Sequence, residues 1–177
     1  MAINMRSRGL VDNLNDYNYH ILGCGAIGSA AALQLVRMGA KNFCLYDNDE
    51  VDTGNVGVSQ YTIYDVGHAK VDMLHSKLKD VNDSVEVMCE DRLFDNYVYL
   101  NDNDIIILGF DSMKSRMDAV KAISKWKHSN PFALIDGRMG AEHYQQYVIL
   151  KPNVEKYEQI WYSDEDGSDE PCNMTAT

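Results

Sequence analysis

The chain has 177 residues, of which 45% are hydrophobic and 24% charged, enough for one globular domain with a sizeable core but hardly for two. Its formal net charge of −11 argues against nucleic-acid and anionic-membrane partners, since both require positive charge on the protein. Residues 1–16 lack an apolar stretch and the longest apolar run, 105–110, is far too short for a membrane span, so we expect a cytoplasmic protein.

Short apolar, β-branched runs alternate with helical patterns along most of the chain. The runs predict five strands, at 18–22, 42–46, 84–88, 104–108 and 132–135. Apolar residues at helical spacing predict the core faces of two connecting helices, formed by Val71, Leu74, Leu78 and Val81 and by Met113, Met117, Val120 and Ile123. This alternation is typical of an α/β fold with a doubly wound, mostly parallel, Rossmann-like sheet.

A glycine-rich turn follows the first strand and leads into an alanine-rich helical segment. In this context Gly23 permits a tight turn, Gly25 lets the backbone approach a phosphate, and Gly28 allows the helix to pack closely on the strand. The amides at the helix start, those of Ala26 and Ile27 among them, favour an anion by roughly 0.3–1 kcal/mol. The turn therefore predicts a nucleotide phosphate site. A glycine turn that only packs a helix on a sheet has the same pattern.

Acidic and amide side chains follow the second strand. Asp47 fits a contact with ribose hydroxyls in either a dinucleotide site or an ATP site. A ribose contact requires only one acidic residue, so the additional polar residues Asp49 and Asn55 favour a site that also binds phosphates. Lys70 begins the next helix and can reach back toward those phosphates, although a solvated lysine at a helix start fits the same pattern.

The fourth strand runs into Asp111, which we expect at the carboxyl edge of the sheet, where open α/β folds bind ligands. Because a carboxylate near phosphates is repulsive unless a cation lies between them, Asp111 is predicted to be a Mg²⁺ ligand. Its alternative role is the N-cap of the helix that follows at once. Arg116, on that helix, also fits a surface residue.

The alternation stops after residue 140. Tyr144–Leu150 and Tyr157–Trp161 predict an antiparallel strand pair at the C-terminal side of the sheet. Residues 163–170 hold five acids among serine and glycine, a composition that predicts a mobile loop or tail rather than a metal site. We expect one domain over 1–177, with a nucleotide-binding core at 17–140, an antiparallel extension at 141–162 and a mobile acidic segment at 163–177.

The combination of these motifs resembles the ThiF/MoeB/HesA family of adenylyltransferases, in the superfamily of ubiquitin-activating enzymes. The order of the motifs is Gly23-x-Gly25-x-x-Gly28, Asp47-x-Asp49-x-Val51, Asn55, Gly67-x-x-Lys70 and Asp111-x-x-x-x-Arg116. The resemblance spans about residues 6 to 172. It implies that ATP is the nucleotide, and that the substrate is the C-terminal glycine carboxylate of a ubiquitin-like or sulfur-carrier protein, activated as an acyl-adenylate.

The same resemblance implies a role for each residue. Asp47 would hold the ribose, Asn55 and Lys70 the phosphates, and Asp111 the magnesium. These residue types suit the chemistry, since attack of one anion on another requires the charge of the triphosphate to be neutralised. A general base is unnecessary because the attacking carboxylate is already ionised. ATP and Mg²⁺ are therefore the expected cofactors.

One departure from the family is the arginine that usually follows the asparagine and faces the phosphates. At this place the chain has Gln60, which can donate a hydrogen bond but carries no charge. Arg138, just beyond the fifth predicted strand, and Arg6 or Arg8 are the candidates for the missing charge. In dimeric relatives an N-terminal arginine reaches the neighbour's site, so we expect Arg8 to act in trans in a homodimer. A solvated N-terminal arm is the alternative.

The four cysteines form no C-x-x-C pair, which argues against a disulfide framework and against the structural zinc that relatives acting on sulfur carriers often hold. We expect Cys24, Cys44 and Cys89 to be small core residues. Cys172 falls where relatives run a crossover loop over the active site, and some of them place a thioester- or persulfide-forming cysteine there. The acids around Cys172 would raise the pKa of its thiol, so an incidental thiol is the alternative.

Two other classes of function fit parts of the pattern. A dinucleotide-dependent oxidoreductase or NAD-binding regulator would use the glycine turn and Asp47, but would leave Asp49, Asn55 and Lys70 unexplained. A non-catalytic partner subunit of the same fold is favoured by the missing arginine. It is also favoured by the end of the sequence at Thr177, where relatives continue into a helix and strands. A sheet edge exposed there would be expected to bind a second copy or a partner.

Overall fold

A computed structural model describes residues 13–94, 99–126, 130–140 and 144–164. Six strands form one sheet: β1 (Asn18–Leu22), β2 (Asn42–Tyr46), β3 (Glu86–Glu90), β4 (Asp104–Leu108), β5 (Ala133–Met139) and β6 (Tyr144–Leu150). Their spatial order is β3-β2-β1-β4-β5-β6, and β1 to β5 are parallel whereas β6 is antiparallel to β5. The predicted mostly parallel α/β sheet with an antiparallel C-terminal pair is confirmed.

Helices connect the strands and cover the two faces of the sheet. The α-helices are α1 (Ala26–Met38), α2 (Thr53–Val56), α3 (Lys70–Val81), α4 (Met113–Lys125) and α5 (Val154–Glu158), with 3₁₀ helices at Leu14–Asp16 and Ile63–Asp65. One apolar cluster joins α1 and α3 to the sheet, and a second joins α4 and α5 to it. Strands β1 and β4 contribute alternate side chains to the two clusters, which is why they read as continuous apolar runs.

The two predicted helical stripes do form core faces. On α3 the buried residues include Val71, Leu74 and Leu78, and on α4 every predicted position is buried, from Met113 to Ile123. Cys24 is buried as predicted, while Cys44 and Cys89 are half-buried at the margins of the clusters. Even the longest helices of the described ranges, α1 and α4, are too short to cross a bilayer.

Two predicted strands have different bounds in the structure. The third begins at Glu86 rather than at residue 84, because Asn82 holds the preceding residues in a turn: its side-chain oxygen accepts from the Ser84 amide and its carbonyl from the Val85 amide. The fifth continues to Met139 because β6 folds back along it, with Met139 opposite Tyr144.

The prediction of a strand over Tyr157–Trp161 is wrong. The antiparallel partner of β6 is β5, and Tyr157 belongs to α5. Asn153 causes this difference, because its side chain accepts a hydrogen bond from the Lys156 amide at 2.9 Å and so caps a helix. Tyr157 is fully buried on that helix. The predicted domain bounds at 141 and 163 stay predictions, and 165–177 lie outside the described residues.

Candidate active site

The glycine turn lies between the end of β1 and the start of α1, against the end of β4. Gly23 has a φ of 89°, and a Cβ there would lie 2.9 Å from the Gly109 carbonyl atoms. A Cβ on Gly28 would lie 1.9 Å from the Gly23 oxygen. Glycine is therefore required at both positions, at Gly23 by the left-handed backbone and at Gly28 by the close approach of helix and turn.

Gly25 differs from these two glycines because its surroundings are open. A Cβ on Gly25 would meet no atom within 4 Å, and its φ of −72° suits any residue. Gly25 is the N-cap of α1 and supplies no side chain to cap the first amides of the helix, those of Ala26 and Ile27 included. These amides have no acceptor within the helix, so the turn leaves donors and free space at the place where a phosphate was predicted.

Asp47 links the end of β2 to the glycine turn. Its Oδ2 accepts from the Cys24 amide at 2.7 Å and its Oδ1 from the Asp49 amide at 2.9 Å. Burial raises the pKa of this carboxyl, although both hydrogen bonds oppose that shift. The carboxylate is thus held in a fixed orientation beside the turn, and the remaining lone pairs of its oxygens are available to hydroxyl donors.

Lys70 is buried at the start of α3. Only 8% of it is exposed, so it is not the solvated surface lysine that its position also allowed. Its Nζ lies 2.8 Å from Asp49 Oδ2. Burial lowers the pKa of the ammonium, but the hydrogen bond to Asp49 and the charge of Asp47 outweigh burial and raise it above its ordinary value. Lys70 is therefore a charged cation held beside two carboxylates.

Tyr61 holds α3 against the glycine turn, and the sequence analysis did not single it out. Its buried hydroxyl is 2.7 Å from the Cys24 carbonyl and 3.2 Å from the Lys70 carbonyl. The hydroxyl can donate to one carbonyl at a time, so it bridges the two backbones by a shared donor. No periodic pattern marks this residue, and only the fold brings these three together.

Asn55 lies on the short helix α2, in a capping box with Asp52. The Asn55 amide donates to Asp52 Oδ1 at 2.9 Å, and the Asp52 amide donates to the Asn55 side-chain oxygen at 3.0 Å. Because the box uses that oxygen, the NH₂ end of the Asn55 side chain is left as a donor, which suits a phosphate oxygen. Gln60 is exposed, and its backbone amide lies 3.3 Å from Ser29 Oγ on α1.

Asp111 follows β4 and is exposed, and its carboxylate has no hydrogen-bond or ion-pair partner among the described residues. The alternative that it caps α4 is wrong, because Ser112 is the N-cap and accepts from the Ser115 amide at 3.0 Å. Within the described ranges no cluster of three His, Cys, Asp or Glu side chains could hold a metal. One free carboxylate nevertheless fits Mg²⁺, which takes few protein ligands and completes its shell with phosphate oxygens and water.

Arg116 and Arg138 meet at a buried carboxylate that the sequence analysis missed, that of Asp136. Arg116 is 4% exposed, so it is not a surface residue; it donates to Asp136 Oδ1 and to the Phe110 carbonyl. Arg138 lies within β5 rather than beyond it, and bonds Asp136 Oδ2 at 2.9 and 2.7 Å. The sequence did contain a signal for this pair: Asp136 and Arg138 are two residues apart on one strand, and such residues share a face of the sheet.

Arg138 makes further contacts on the side of β5 and the C-terminal residues. Its Nη1 donates to the Ile160 carbonyl at 2.8 Å, and its guanidinium lies 4.7 Å from the Tyr147 ring centre and 5.2 Å from that of Tyr162. The guanidinium therefore forms hydrogen bonds along its edges and cation–π contacts with two aromatic rings. The role of Arg138 as the replacement phosphate arginine stays a prediction, and it would require the guanidinium to leave these partners. The other candidates, Arg6 and Arg8, and the thiol of Cys172 lie outside the described residues.

Comparison with known proteins gives a family and a fold. The model of the ThiF family matches residues 2–175. The chain is 31% identical over 90 residues to the tRNA threonylcarbamoyladenosine dehydratase of Bacillus subtilis (strain 168), a match that covers 50% of this chain and 35% of that protein. It is 34% identical over 84 residues to ubiquitin-like modifier-activating enzyme 5 of Oryza sativa subsp. japonica, covering 46% of this chain and 20% of that enzyme.

A solved structure of the Escherichia coli dehydratase TcdA, in complex with ATP, has the same fold. The TM-score is 0.61 at 21% identity, over 73% of this chain and 54% of that one. The chain thus matches about a third or less of the length of the two curated relatives, and about half of the solved chain.

Proposed function

Since this chain belongs to the ThiF family, we propose that it is an ATP-dependent adenylyltransferase that activates the C-terminal glycine carboxylate of a ubiquitin-like or sulfur-carrier protein. The observation that carries the proposal is the contact of Gly23 with Gly109, because it joins the turn that holds Gly25 to the strand end that leads to Asp111. Lys70 lies at the same edge of the sheet, because its ammonium pairs with Asp49, which follows the end of β2.

ATP is the nucleotide that best fits these groups. The turn amides and the Asn55 NH₂ group would bind phosphate oxygens, Asp47 would accept from a ribose hydroxyl, and Lys70 would lie near the triphosphate. Asp111 is the residue that would hold Mg²⁺, which when bound neutralises the phosphate charge. The solved relative in complex with ATP supports this choice.

The proposed reaction joins the carboxylate of the carrier to the α-phosphorus of ATP. A carboxylate oxygen forms the new bond to phosphorus, the bond from phosphorus to the bridging oxygen breaks, and pyrophosphate leaves with that electron pair. Lys70 would stabilise the charge that develops, and a buried ammonium acts strongly because water does not screen it. The fixed turn and the oriented Asp47 would hold the two reactants in line.

The charge that the usual arginine supplies has to come from elsewhere. Arg138 is engaged by Asp136, so in the described part of the site Lys70 is the main cation near the turn, and Asp49 offsets part of its charge. We therefore propose that Arg8 of a second copy completes the site in a homodimer, with Arg6 as the alternative.

We also propose that Cys172 can reach the adenylate and form a thioester with release of AMP. Asp164 supports this idea, because its carboxylate accepts from the Met113 amide at 2.5 Å and from the Lys114 amide at 3.1 Å, just after Asp111. The eight residues from Asp164 to Cys172 can extend over at most about 29 Å, enough to return to the site. The acids near Cys172 in the sequence are the main argument against this step, since negative charge disfavours a thiolate.

The test is exchange of labelled pyrophosphate into ATP, with a candidate carrier that ends in glycine. Lys70→Ala and Asp111→Ala should each lower carrier-dependent exchange by about 100-fold or more, because the first removes a cation beside the phosphates and the second removes the proposed Mg²⁺ ligand. Lys77→Ala is the matched control, since Lys77 lies on the same helix and pairs with Asp65 at 2.7 Å. Exchange that survives both site substitutions at the wild-type rate would refute the proposal.

A second candidate function is that of a non-catalytic partner subunit that binds nucleotide. It is favoured by the engagement of Arg138 and by the neutral Gln60 at the place of the family's arginine. Nucleotide binding without exchange for any glycine-ended carrier would support it. An NAD-binding protein is the remaining alternative, and tighter binding of NADH than of ATP in a calorimetric titration would support that one.

A further inference from the structure

Asp136 is the centre of a buried polar cluster next to the candidate active site. It is completely buried and contacts three side chains: the Arg116 guanidinium, the Arg138 guanidinium and the Tyr157 hydroxyl, which donates to Oδ2 at 2.8 Å. A buried carboxylate persists only when it is paired and hydrogen-bonded, and these partners meet that requirement. The cluster therefore has one defined arrangement.

Arg116 connects the buried cluster to the residues that follow β4. One Nη group donates to Asp136 and to the Gly137 carbonyl, the latter at 3.0 Å, while the other donates to the Phe110 carbonyl. The Phe110 carbonyl belongs to the peptide group that joins Phe110 to Asp111. The orientation of that peptide is thus set by a guanidinium that is itself held by Asp136.

Asp111 has no hydrogen bond of its own among the described residues to fix its side chain. Its direction consequently depends on the backbone that bears it, and that backbone is held by Arg116 on one side and by the Ser112 cap on the other. From this we infer that Asp136 is a positioning residue, which acts through Arg116 to aim the Asp111 carboxylate at the metal of the bound nucleotide. The inference rests on the proposed function, in which Asp111 holds Mg²⁺.

The test compares the binding of Mg·ATP with the binding of AMP without metal, by calorimetric titration of the full chain. Asp136→Asn keeps the shape of the side chain but removes the charge that holds Arg116. It should weaken Mg·ATP binding by about 10- to 100-fold, the usual effect of losing a partner that orients a metal ligand. AMP binding should stay within about twofold of the wild type, because a correctly folded turn and ribose site remain.

Two further variants separate positioning from general damage. Tyr157→Phe removes one hydrogen bond from the same buried carboxylate but leaves Arg116 paired, so it should bind Mg·ATP and AMP like the wild type. Arg116→Lys retains a positive charge near Asp136 but cannot also reach the Phe110 carbonyl, so it should lose Mg·ATP affinity as Asp136→Asn does. Arg116→Lys also keeps the inference testable if Asp136→Asn does not fold.

A double variant tests whether the effect passes through Asp111. In the Asp111→Ala background, Asp136→Asn should cause no further loss of Mg·ATP affinity. A further loss there, or an equal loss of AMP and Mg·ATP binding in Asp136→Asn alone, would overturn the inference. Absence of pyrophosphate exchange in a wild-type chain that binds Mg·ATP would instead count against the proposed function and leave this inference standing. A wild-type chain that binds neither nucleotide would overturn both.

Discussion

Gly25 and Gly28 are three residues apart in the same turn, yet a methyl group would meet opposite conditions at the two positions. Gly28→Ala would place a Cβ 1.9 Å from the Gly23 oxygen, so helix and turn would have to separate. We expect a loss of about 1–3 kcal/mol in the free energy of unfolding, the usual cost of overpacking a tight contact. Urea unfolding at neutral pH measures it.

Gly25→Ala is the matched control for Gly28→Ala. It should affect nucleotide affinity more than the stability of the fold. Its Cβ would enter open space, so no contact has to open, and the stability of the fold should fall only by about 1 kcal/mol or less, the cost of alanine in place of glycine at a helix N-cap. Nucleotide affinity should nevertheless fall, because the methyl group would occupy the space proposed for a phosphate. If Gly25→Ala binds ATP as tightly as the wild type, the phosphate does not lie at this turn.

Strands β1 and β4 are joined at their starts by a buried pair, Asp104 with His20. The Asp104 carboxylate lies 3.1 Å from His20 Nε2 and accepts from the Asn18 side chain at 2.8 Å and the Asn101 amide at 2.7 Å. Burial alone would raise the pKa of this carboxyl, but these partners outweigh burial and hold the pKa below its ordinary value. The carboxylate is therefore more easily ionised in the folded chain than in the unfolded one.

The sign of the pH effect follows from that difference. The stabilisation is fully present above about pH 4, the ordinary value for an unfolded aspartate, and is lost as the pH falls through the lower pKa of the folded state. Asp104→Asn should lower the unfolding free energy at pH 7 by about 1–3 kcal/mol. Its deficit relative to the wild type should shrink toward pH 3. The control is Asp83→Asn, a substitution at an exposed residue, whose effect on the unfolding free energy at pH 7 should be within about 0.5 kcal/mol.

The strands and helices that could be predicted correctly are those whose own residues determine their structure. Strands β1, β2 and β4 were predicted with their observed bounds, because apolar runs buried on both faces leave no other interpretation. The segment around Tyr157 was predicted wrongly because a capping side chain at Asn153 outweighed its aromatic, strand-like composition. A local hydrogen bond at the helix start, and not the composition of the segment, thus determined that this segment is a helix.

The candidate site divides in the same way. The glycines, Asp47 and Lys70 occur at spacings that a strand, a turn and a helix start impose, so the sequence indicates them directly. For Asp136 the sequence offered only its spacing of two residues from Arg138, because its other partners, Arg116 and Tyr157, are each about twenty residues away and meet it only in the folded chain. Its position in a strand beside another charge resembled a strand end instead.

At the scale of the whole molecule, β6 is an edge of the sheet, because no strand of the described ranges pairs with its outer side. Three of its apolar residues, Tyr144, Val148 and Leu150, are 62%, 57% and 58% exposed, and the strand contains neither charge nor proline. The Lys151 amide donates to the Phe132 carbonyl, so the alternate residues 144, 146, 148 and 150 direct their backbone groups away from β5. Lys156 protects only one of them, the Leu150 carbonyl.

An unprotected edge of this kind should pair with another copy of the chain. We expect antiparallel self-association, which increases with salt because the net charge of −11 on each copy is then screened. Val148→Lys should shift the population toward the monomer in sedimentation velocity runs. Ile63→Lys, a substitution at a residue 60% exposed but away from the edge, should not. A concentration-independent monomer at high salt would contradict this prediction.

The contact between Gly23 and Gly109 also determines the order in which the molecule can assemble. The turn closes against the end of β4, which lies far along the chain, so β1 and α1 cannot complete the proposed phosphate site by themselves, even if both form early. On a ribosome, the nascent chain would stay unable to hold nucleotide until β4 had emerged and docked. Nucleotide binding would therefore report the docking of β4 rather than the formation of β1 and α1.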